Sequence, residues 1–140
     1  MARRARWSIP VRDVVDEIKS DWRSVAIGSA LEAYSRLIIR SPVDTGRFRG
    51  NWMIAVGTEP TGMDLNRFDK SGSETIAKGF DVSGKFQLGD TIMIRNNLAY
   101  AVPLEYGWSK QAPAGMVRIT SGEFPEIVRS IDAGMAKRGA

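Results

Sequence analysis

The sequence predicts an α+β fold in which a long N-terminal helix and a C-terminal helix pack on a small antiparallel sheet, with a long mid-chain loop. Two stretches, 10–40 and 116–135, repeat apolar residues at steps of three and four, the period of an amphipathic helix. Two short stretches, 52–56 and 90–96, have the apolar character and alternation of strands. A length of 140 residues suits one domain, so we expect residues 1–140 to share a single core.

The first helix is predicted over residues 10–40. Ser8 offers an N-cap and Pro10 suits the first turn, while Pro42 ends the helix because the residue before a proline is pushed out of the α region. At 1.5 Å per residue this helix is about 45 Å long. A small sheet cannot cover that length, so part of the apolar face is expected to meet another subunit. Gly28 and Ser29, near the middle, are a site for a bend.

The segment after this helix predicts a tight turn and then a long loop. Asp44 can bond nearby backbone amides, and Gly46, which follows Thr45, can take a positive φ. Residues 52–56 then form a strand. Residues 57–72 have the glycine, proline and polar residues of a loop, and loops of this length are usually functional or disordered. In an assembly protein this loop would be an arm that a neighbour orders.

The second half of the chain predicts a short helix, a strand and a long helix. Ser73 is the expected cap of a helix over 73–80, with Ile76, Ala77 and Phe80 on one face. A helical turn or two over 98–106 would place Tyr100 and Leu104 inward. In the C-terminal helix Pro125 predicts a break or kink near residues 122–125.

Composition excludes much catalytic chemistry. The chain has neither cysteine nor histidine, which removes disulfides, thiolate nucleophiles, Ser-His-Asp constellations and the usual zinc sites. We expect no cofactor, no metal and no enzymatic activity. No stretch has the roughly 18 apolar residues that cross a bilayer, so no membrane contact is expected and assembly would occur in the cytoplasm.

The net charge of +4 has one local cluster, Arg3, Arg4 and Arg6, in a basic N-terminal arm over residues 1–9. Such an arm could contact nucleic acid without sequence preference. Solvated surface charge is the favoured interpretation, because four surplus charges on a chain of this size are not a concentrated patch. A DNA-binding protein is therefore kept as an alternative.

Two acidic residues invite a catalytic interpretation. The signature of aspartic proteases is matched by the triplet Asp44, Thr45 and Gly46. In those enzymes two aspartates share a proton, and a homodimer of this chain could supply the pair. That chemistry needs a β-rich setting, whereas here the triplet follows a helix, so a structural turn is favoured. Glu105 could be an acid or base in an aromatic pocket. The favoured role is an anchor that accepts backbone amides or pairs with an arginine and fixes the turn at Gly107.

Tryptophans and one exposed loop suggest contacts with other proteins. Trp7, Trp22, Trp52 and Trp108 could stack on bases, but no alternating basic and aromatic pattern surrounds them, so packing in a core or interface is favoured. The residues expected to contact a neighbouring subunit or partner are Trp108, Lys110, Gln111, Arg67 and Phe68.

The motifs SPVDTGRFRGNW (41–52) and YAVPLEYGWSKQAPAGMVR (100–118) resemble, in their order and spacing, the neck or tail-completion (head-tail joining) family of tailed bacteriophages. In that family an N-terminal helix ends in a P-x-D-T-G turn, a strand region follows, an N-N-x-x-Y-A segment leads to an E-Y/F-G turn, and a C-terminal helix closes the domain. Residues 35–120 follow this order. The family's C-terminal helix usually lacks a proline, so Pro125 is a departure.

The resemblance implies a structural virion protein that forms a ring at the head-tail junction. Such a ring would be a hexamer, with a dodecamer as the alternative, between a portal-side connector or head-closure protein and the tail tube or tail terminator protein. It would surround packaged DNA, which Arg3, Arg4 and Arg6 would contact in the lumen. Subunits in a closed ring meet head to tail, and the long helix, the 57–72 loop and the termini are the expected contact regions.

Overall fold

The computed structural model describes residues 10–138 and has the predicted α+β fold. Two long helices, α1 (Val11–Arg40) and α5 (Val117–Arg138), pack against each other, and a two-stranded antiparallel sheet completes the core. The helices run antiparallel, because Gly28 contacts Ile131 while Arg40 bonds Thr120. The other elements are α2 (Arg47–Gly50), β1 (Trp52–Val56), α3 (Ser73–Ser83), β2 (Ile92–Asn96) and α4 (Ala101–Glu105).

Helix α1 is a single unbroken helix of 30 residues. It ends at Ser41, whose extended backbone (φ −67°, ψ 138°) is the conformation that Pro42 imposes on the residue before it. The helix is not interrupted at Gly28, and a bend there stays a prediction. A Cβ at Gly28 would lie 3.1 Å from Ile131 Cγ2, so this glycine lets α5 approach closely. The predicted cap, Ser8, lies outside the described residues.

The sheet joins the helices through one of its faces. Strands β1 and β2 pair in register, with Trp52 opposite Asn96 and Ile54 opposite Ile94. Trp52 and Ile54 are buried because alternate residues of a strand share a face, and this face meets the helices. The buried core consists of Tyr34, Leu37, Ile38, Phe48, Trp52, Ile54, Leu98, Ala112 and Met116.

Tyr34 places a hydroxyl inside this core. The side chain is 1% exposed, and its Oη lies 3.0 Å from the carbonyl oxygen of Trp52 and 3.1 Å from that of Thr75, so it donates towards both β1 and α3. Burial raises the pKa of Tyr34 to about 12, although the positive charge of Arg67 opposes that rise. The hydroxyl therefore remains a hydrogen-bond donor throughout the ordinary pH range.

We expect Tyr34→Phe to lower the free energy of unfolding by about 1–2 kcal/mol, because two buried carbonyls lose their shared donor. Tyr100→Phe is the matched control, since the Tyr100 hydroxyl bonds no described residue. Its expected effect is below about 0.5 kcal/mol. Urea unfolding followed by tryptophan fluorescence measures both values, and equal losses would contradict the role given to the Tyr34 hydroxyl.

Helix α3 buries only part of the predicted face. Ile76 packs against the core as predicted, but Ala77 and Phe80 are exposed, whereas Thr75 and Gly79 are buried. A Cβ at Gly79 would lie 2.7 Å from the Tyr34 ring, so glycine lets α3 lie directly on that aromatic side chain. The prediction was wrong because it weighed apolar size alone and missed this close approach. The predicted cap Ser73 is also wrong, since Asp69 bonds the first turn instead.

Helix α5 is continuous from Val117 to Arg138, so of the break or kink predicted near residues 122–125 the break is wrong and the kink stays a prediction. A proline in a helix removes one backbone hydrogen bond, here the bond to the carbonyl of Ser121. Both Ser121 and Pro125 are exposed, so water can satisfy the freed carbonyl. Farther along, the buried Ile127 anchors the helix on α1. None of the helices among the described residues has the length and apolarity that crossing a bilayer requires.

The short helix α4 follows a buried leucine. Leu98 is 4% exposed and belongs to the core, whereas Tyr100 is partly exposed and touches Phe48 at a centroid distance of 5.9 Å. The inward position predicted for Tyr100 therefore belongs to Leu98, and Leu104 packs against the core as predicted.

Candidate interaction surfaces

The Asp44–Thr45–Gly46 turn is built on its glycine. Gly46 has φ 88°, and a Cβ there would lie 2.5 Å from the backbone nitrogen of Lys70, so no side chain fits. Thr45 Oγ1 accepts the backbone N–H of Arg47 at 3.2 Å. The backbone bonding predicted for Asp44 is wrong: its exposed carboxylate bonds none of the described residues, because the threonine hydroxyl takes that role.

Asp69 fixes this turn to the start of α3. Its backbone N–H donates to the carbonyl of Gly46 at 3.0 Å. Its carboxylate accepts the backbone N–H groups of Gly72 (3.0 Å) and Thr75 (2.9 Å) and the Thr75 hydroxyl (2.8 Å). Burial would raise the pKa of this carboxyl, but the bonds from Thr75 and Gly72 outweigh burial and lower it. Sequence reasoning missed Asp69; the signal was an acid shortly before a serine- and glycine-rich helix start.

Glu105 is the corresponding anchor of the second turn. Its carboxylate accepts the backbone N–H groups of Met116 (2.9 Å), Val117 (2.8 Å) and Arg118 (3.0 Å), which are the free amides at the start of α5. Burial would raise the pKa of Glu105, but these amides lower it. Gly107 has φ 88°, and a Cβ there would lie 2.5 Å from the carbonyl oxygen of Pro113. Glu105 therefore has the anchoring role suggested by the sequence.

The two turns are joined by the side chain of Gln111. Its Oε1 accepts the backbone N–H of Val43 at 2.8 Å, and its Nε2 donates to the Val43 carbonyl at 3.0 Å. The amide thus pairs with the backbone as a neighbouring strand would. Gln111 was expected to contact a partner, but its polar atoms are used inside the chain. The segments 41–52 and 100–118, far apart in sequence, consequently lie side by side.

Around this junction the chain forms an exposed surface, here called the loop end, made of residues 43–47, 65–68 and 106–111. Arg47 connects it: its guanidinium lies 5.2 Å from the centroid of the Phe68 ring and donates to the Leu65 carbonyl at 2.8 Å. Trp108 is 80% exposed, and Tyr106, Phe68 and Lys110 are exposed as well. Large exposed aromatic side chains grouped in this way are typical of protein interfaces.

Arg67 has a different position from the other predicted contact residues. Its aliphatic part packs on Gly50, where a Cβ would lie 2.9 Å from Arg67 Cγ, and its guanidinium is 4.0 Å from Asp64. The side chain is only 37% exposed. Arg67 therefore supports the loop end from beneath, while Phe68 remains open to a partner.

The long loop over 57–72 is held by side chains of its own chain. Asn51 donates to the carbonyl of Asp64 and accepts its backbone N–H, at 3.0 and 2.8 Å. Arg49 donates to the carbonyls of Lys70, Ile39 and Ser41, which also satisfies the end of α1. These anchors fix the path of the loop within one molecule, whereas an arm awaiting a neighbour was expected.

The geometry around Asp44 offers no partner for proton sharing among residues 10–138. A cleft of about 380 Å³ lies between the two turns, and Asp44 is the only acidic residue among the described residues that line it. Residues 10–138 also contain no cluster of three acidic side chains that could hold a metal ion. The cleft also contains Thr45, Tyr100 and Ser109, which suit hydrogen bonding to a peptide or side chain.

Charge on the described body is nearly balanced. Of the 20 basic and 16 acidic residues, only Arg3, Arg4 and Arg6 lie outside residues 10–138, which leaves 17 basic against 16 acidic and a net charge of +1. These three arginines lie outside the described residues, as does Trp7. The positive net charge of the chain therefore comes mostly from the basic arm.

A second exposed surface lies at the other end of α1. All residues over 11–22, here called the apolar tip, are exposed, including Val11, Val15, Ile18 and Trp22. Ile131 lies against Gly28, and α5 ends seven residues later, so this antiparallel neighbour reaches back only to about the level of residue 21. The apolar tip thus lies at the start of α1, and the loop end lies beyond the last residue of the same helix.

Comparison with known proteins gave no match: no family model, no curated protein and no solved structure matches this chain.

Proposed function

We propose that this chain is a non-enzymatic structural virion protein of a tailed phage that forms a ring at the head-tail junction. The ring, of six copies, joins the portal-side connector or head-closure protein of the DNA-filled head to the tail tube or tail terminator protein. The protein acts by shape: a closed ring presents one surface to each neighbour and leaves a channel for DNA. The basic arm would contact that DNA without sequence preference.

The observation that supports the proposal most is the meeting of the two segments that carry the phage resemblance. Residues 41–52 and 100–118 are held together by the paired bonds between Gln111 and Val43. The first segment is held at Gly46 by the backbone N–H of Asp69, whose carboxylate bonds the start of α3, and the second is held by the carboxylate of Glu105. Their shared surface is the loop end, with Trp108 at its most exposed point. Two motifs that build one rigid, exposed surface favour a docking role.

The direct test mixes the purified protein with tailless heads and free tails. We expect native mass spectrometry to find a species six times the 15.4 kDa mass of the chain. Electron microscopy should show closed-ring density at the junction, with joined particles only when the protein is present. A monomer or dimer that neither enters particles nor changes joining would contradict the proposal. Salt-sensitive binding of free DNA by that species would then favour the DNA-binding alternative.

We expect Trp108→Ala to reduce head-tail joining by at least about 30-fold at a fixed protein concentration, because exposed tryptophans are frequent hot spots of interfaces. Its unfolding midpoint should be unchanged, since the side chain is 80% exposed. Phe80→Ala is the matched control, as Phe80 is also an exposed aromatic residue but lies on α3, outside the loop end. Equal joining by both variants would show that the loop end is not the docking surface.

Asp44→Asn separates the structural role from catalysis. The Asp44 carboxylate makes no bond to the described residues, so this variant should fold and join particles as the unaltered protein does. If the unaltered protein hydrolyses peptides and Asp44→Asn folds but does not, that result would instead favour the aspartic-type hydrolase.

A further inference from the structure

The apolar tip has a regular seam of side chains. Val11, Val15, Ile18 and Trp22 follow one another at steps of four, three and four, which places them on one face of α1. Trp22 is 63% exposed and no other element covers the seam among the described residues. A seam of this kind is the pattern with which a helix packs against another apolar surface.

The same molecule has a groove of matching character. It has a volume of about 1040 Å³ and opens between α1, α5 and the sheet. Its apolar walls include Val25, Ala33, Phe124, Val128, Ile92 and Ile94. The buried Ser29 hydroxyl in its wall has no hydrogen-bond partner in the described part of the chain.

The tip fits the groove in length. The groove follows α1 from Trp22 to Leu37, about 22 Å at 1.5 Å per residue. The twelve residues of the tip form a helix segment of about 18 Å. Of the tip residues only Trp22, at the end of the groove, lines the groove of its own chain; the rest of the tip cannot reach it, because tip and groove belong to one unbroken helix.

Charge does not oppose this pairing. The tip carries two basic residues, Arg12 and Lys19, against four acidic residues, and the basic arm before it adds three arginines, so residues 1–22 are nearly neutral at +1. The groove wall carries one basic and one acidic residue, Arg129 and Asp132. The fit therefore depends on apolar contact and length.

We propose that the apolar tip of each copy fills the apolar groove of the next copy and forms the head-to-tail interface of the ring. This inference rests on the proposed ring, which requires two different surfaces that meet around a rotation axis. The loop end, far from the tip along α1, then stays free for the neighbouring layers of the virion.

Cysteine cross-linking tests the interface without background, because the chain has no cysteine. The test variant carries Ile18→Cys in the tip and Val128→Cys in the groove. Within one chain Val128 lies level with about residue 31 of α1, some 20 Å along the axis from Ile18, so a shorter thiol cross-linker joins only different chains. Each single-cysteine variant is the control.

We expect the double variant to give a ladder of cross-linked chains that ends at the ring size, while the single variants give at most dimers. A ladder identifies a head-to-tail contact. Dimers alone from the double variant would overturn the inference, because they indicate reciprocal pairing of two tips and two grooves. Uncross-linked chains alone, at a concentration where rings are seen, would overturn it as well.

Charge substitutions give an independent readout. Ile18→Glu in the tip and Val128→Glu in the groove should each raise the concentration needed for ring assembly at least about 30-fold, with little change in the unfolding midpoint of the tip variant. A mixture of the two should form pairs only, because one intact tip and one intact groove remain. If Ile18→Glu still formed rings at the junction, the proposed interface would be wrong but the proposed function would stand. If the double-cysteine variant gave a full ladder but the protein never entered particles, the interface would stand and the proposed function would be wrong.

Discussion

Gly46→Ala is expected to destabilise the protein by about 3 kcal/mol or more, and Gly57→Ala by only about 1 kcal/mol. Both glycines have a positive φ, 88° and 80°, so alanine is strained at either position by a similar amount. The surroundings differ: nothing lies within 4 Å of a Cβ at Gly57, whereas a Cβ at Gly46 meets the backbone of Asp69 and Lys70 at 2.5–2.8 Å. Backbone atoms cannot rotate away, so the turn and the loop must separate.

Denaturant unfolding of the two variants measures this difference directly. The separation also has a local signature, because the backbone N–H of Asp69 donates to the Gly46 carbonyl in the intact turn. Hydrogen exchange at Asp69 and Gly72 should therefore accelerate in Gly46→Ala and not in Gly57→Ala. Equal stability losses, with unchanged exchange at both residues, would mean that the turn is not docked on the loop as described.

Glu105→Ala is expected to cost about 2–4 kcal/mol of unfolding free energy, because three backbone N–H groups at the start of α5 lose a charged acceptor. Glu105→Gln keeps one acceptor oxygen and should cost about half as much. Glu126→Gln is the matched control on α5: its ion pair with Arg129 is exposed on both sides and contributes at most about 0.5 kcal/mol. A Glu105→Ala loss as small as that of the control would refute the anchoring role.

The pH dependence gives a second check on Glu105. The folded state lowers the pKa of this carboxyl, so its contribution is fully present above the ordinary glutamate pKa of about 4.3 and is lost as the pH falls through the lower folded value. Asp69, whose pKa is also lowered, loses its contribution in the same direction. Unfolding free energies measured from pH 6 downward should fall less steeply for Glu105→Gln than for the unaltered protein.

The parts of the fold predicted correctly are those with a local cause. Pro42 acts on Ser41 through direct steric contact, so the end of α1 was readable from two adjacent residues. The alternation around Ile92 and Ile94 similarly reports which residues of β2 face the core. The positive φ of Gly46 follows from turn chemistry within four residues.

The parts predicted wrongly depend on what lies opposite in space. Phe80 has the size of a core residue, but Gly79 is the one that faces Tyr34, and only the packed helices reveal that choice. Pro125 breaks many helices; here exposure of Ser121 lets water replace the missing bond, and exposure is a tertiary property.

The candidate surfaces were predictable only in part for the same reason. Trp108, predicted to contact a partner, is exposed, although aromatic residues in a turn-rich segment were expected to pack within the chain. Gln111 bonds Val43 across 68 positions of sequence, and no period or motif links two residues at that distance. Arg49 and Asn51 likewise bond backbone atoms of distant segments, so their roles appear only in the folded chain.

The anchoring of the loop end by bonds to backbone atoms gives this surface freedom to evolve. The guanidinium and amide groups of Arg47, Arg49 and Asn51 recognise main-chain atoms, which every amino acid supplies. The exposed side chains of two receiving residues, Leu65 and Lys70, are not part of that recognition. Substitutions at these two positions can alter the shape and charge that a partner meets while the scaffold beneath keeps its path. Such a surface can follow changes in a partner over generations without a loss of stability.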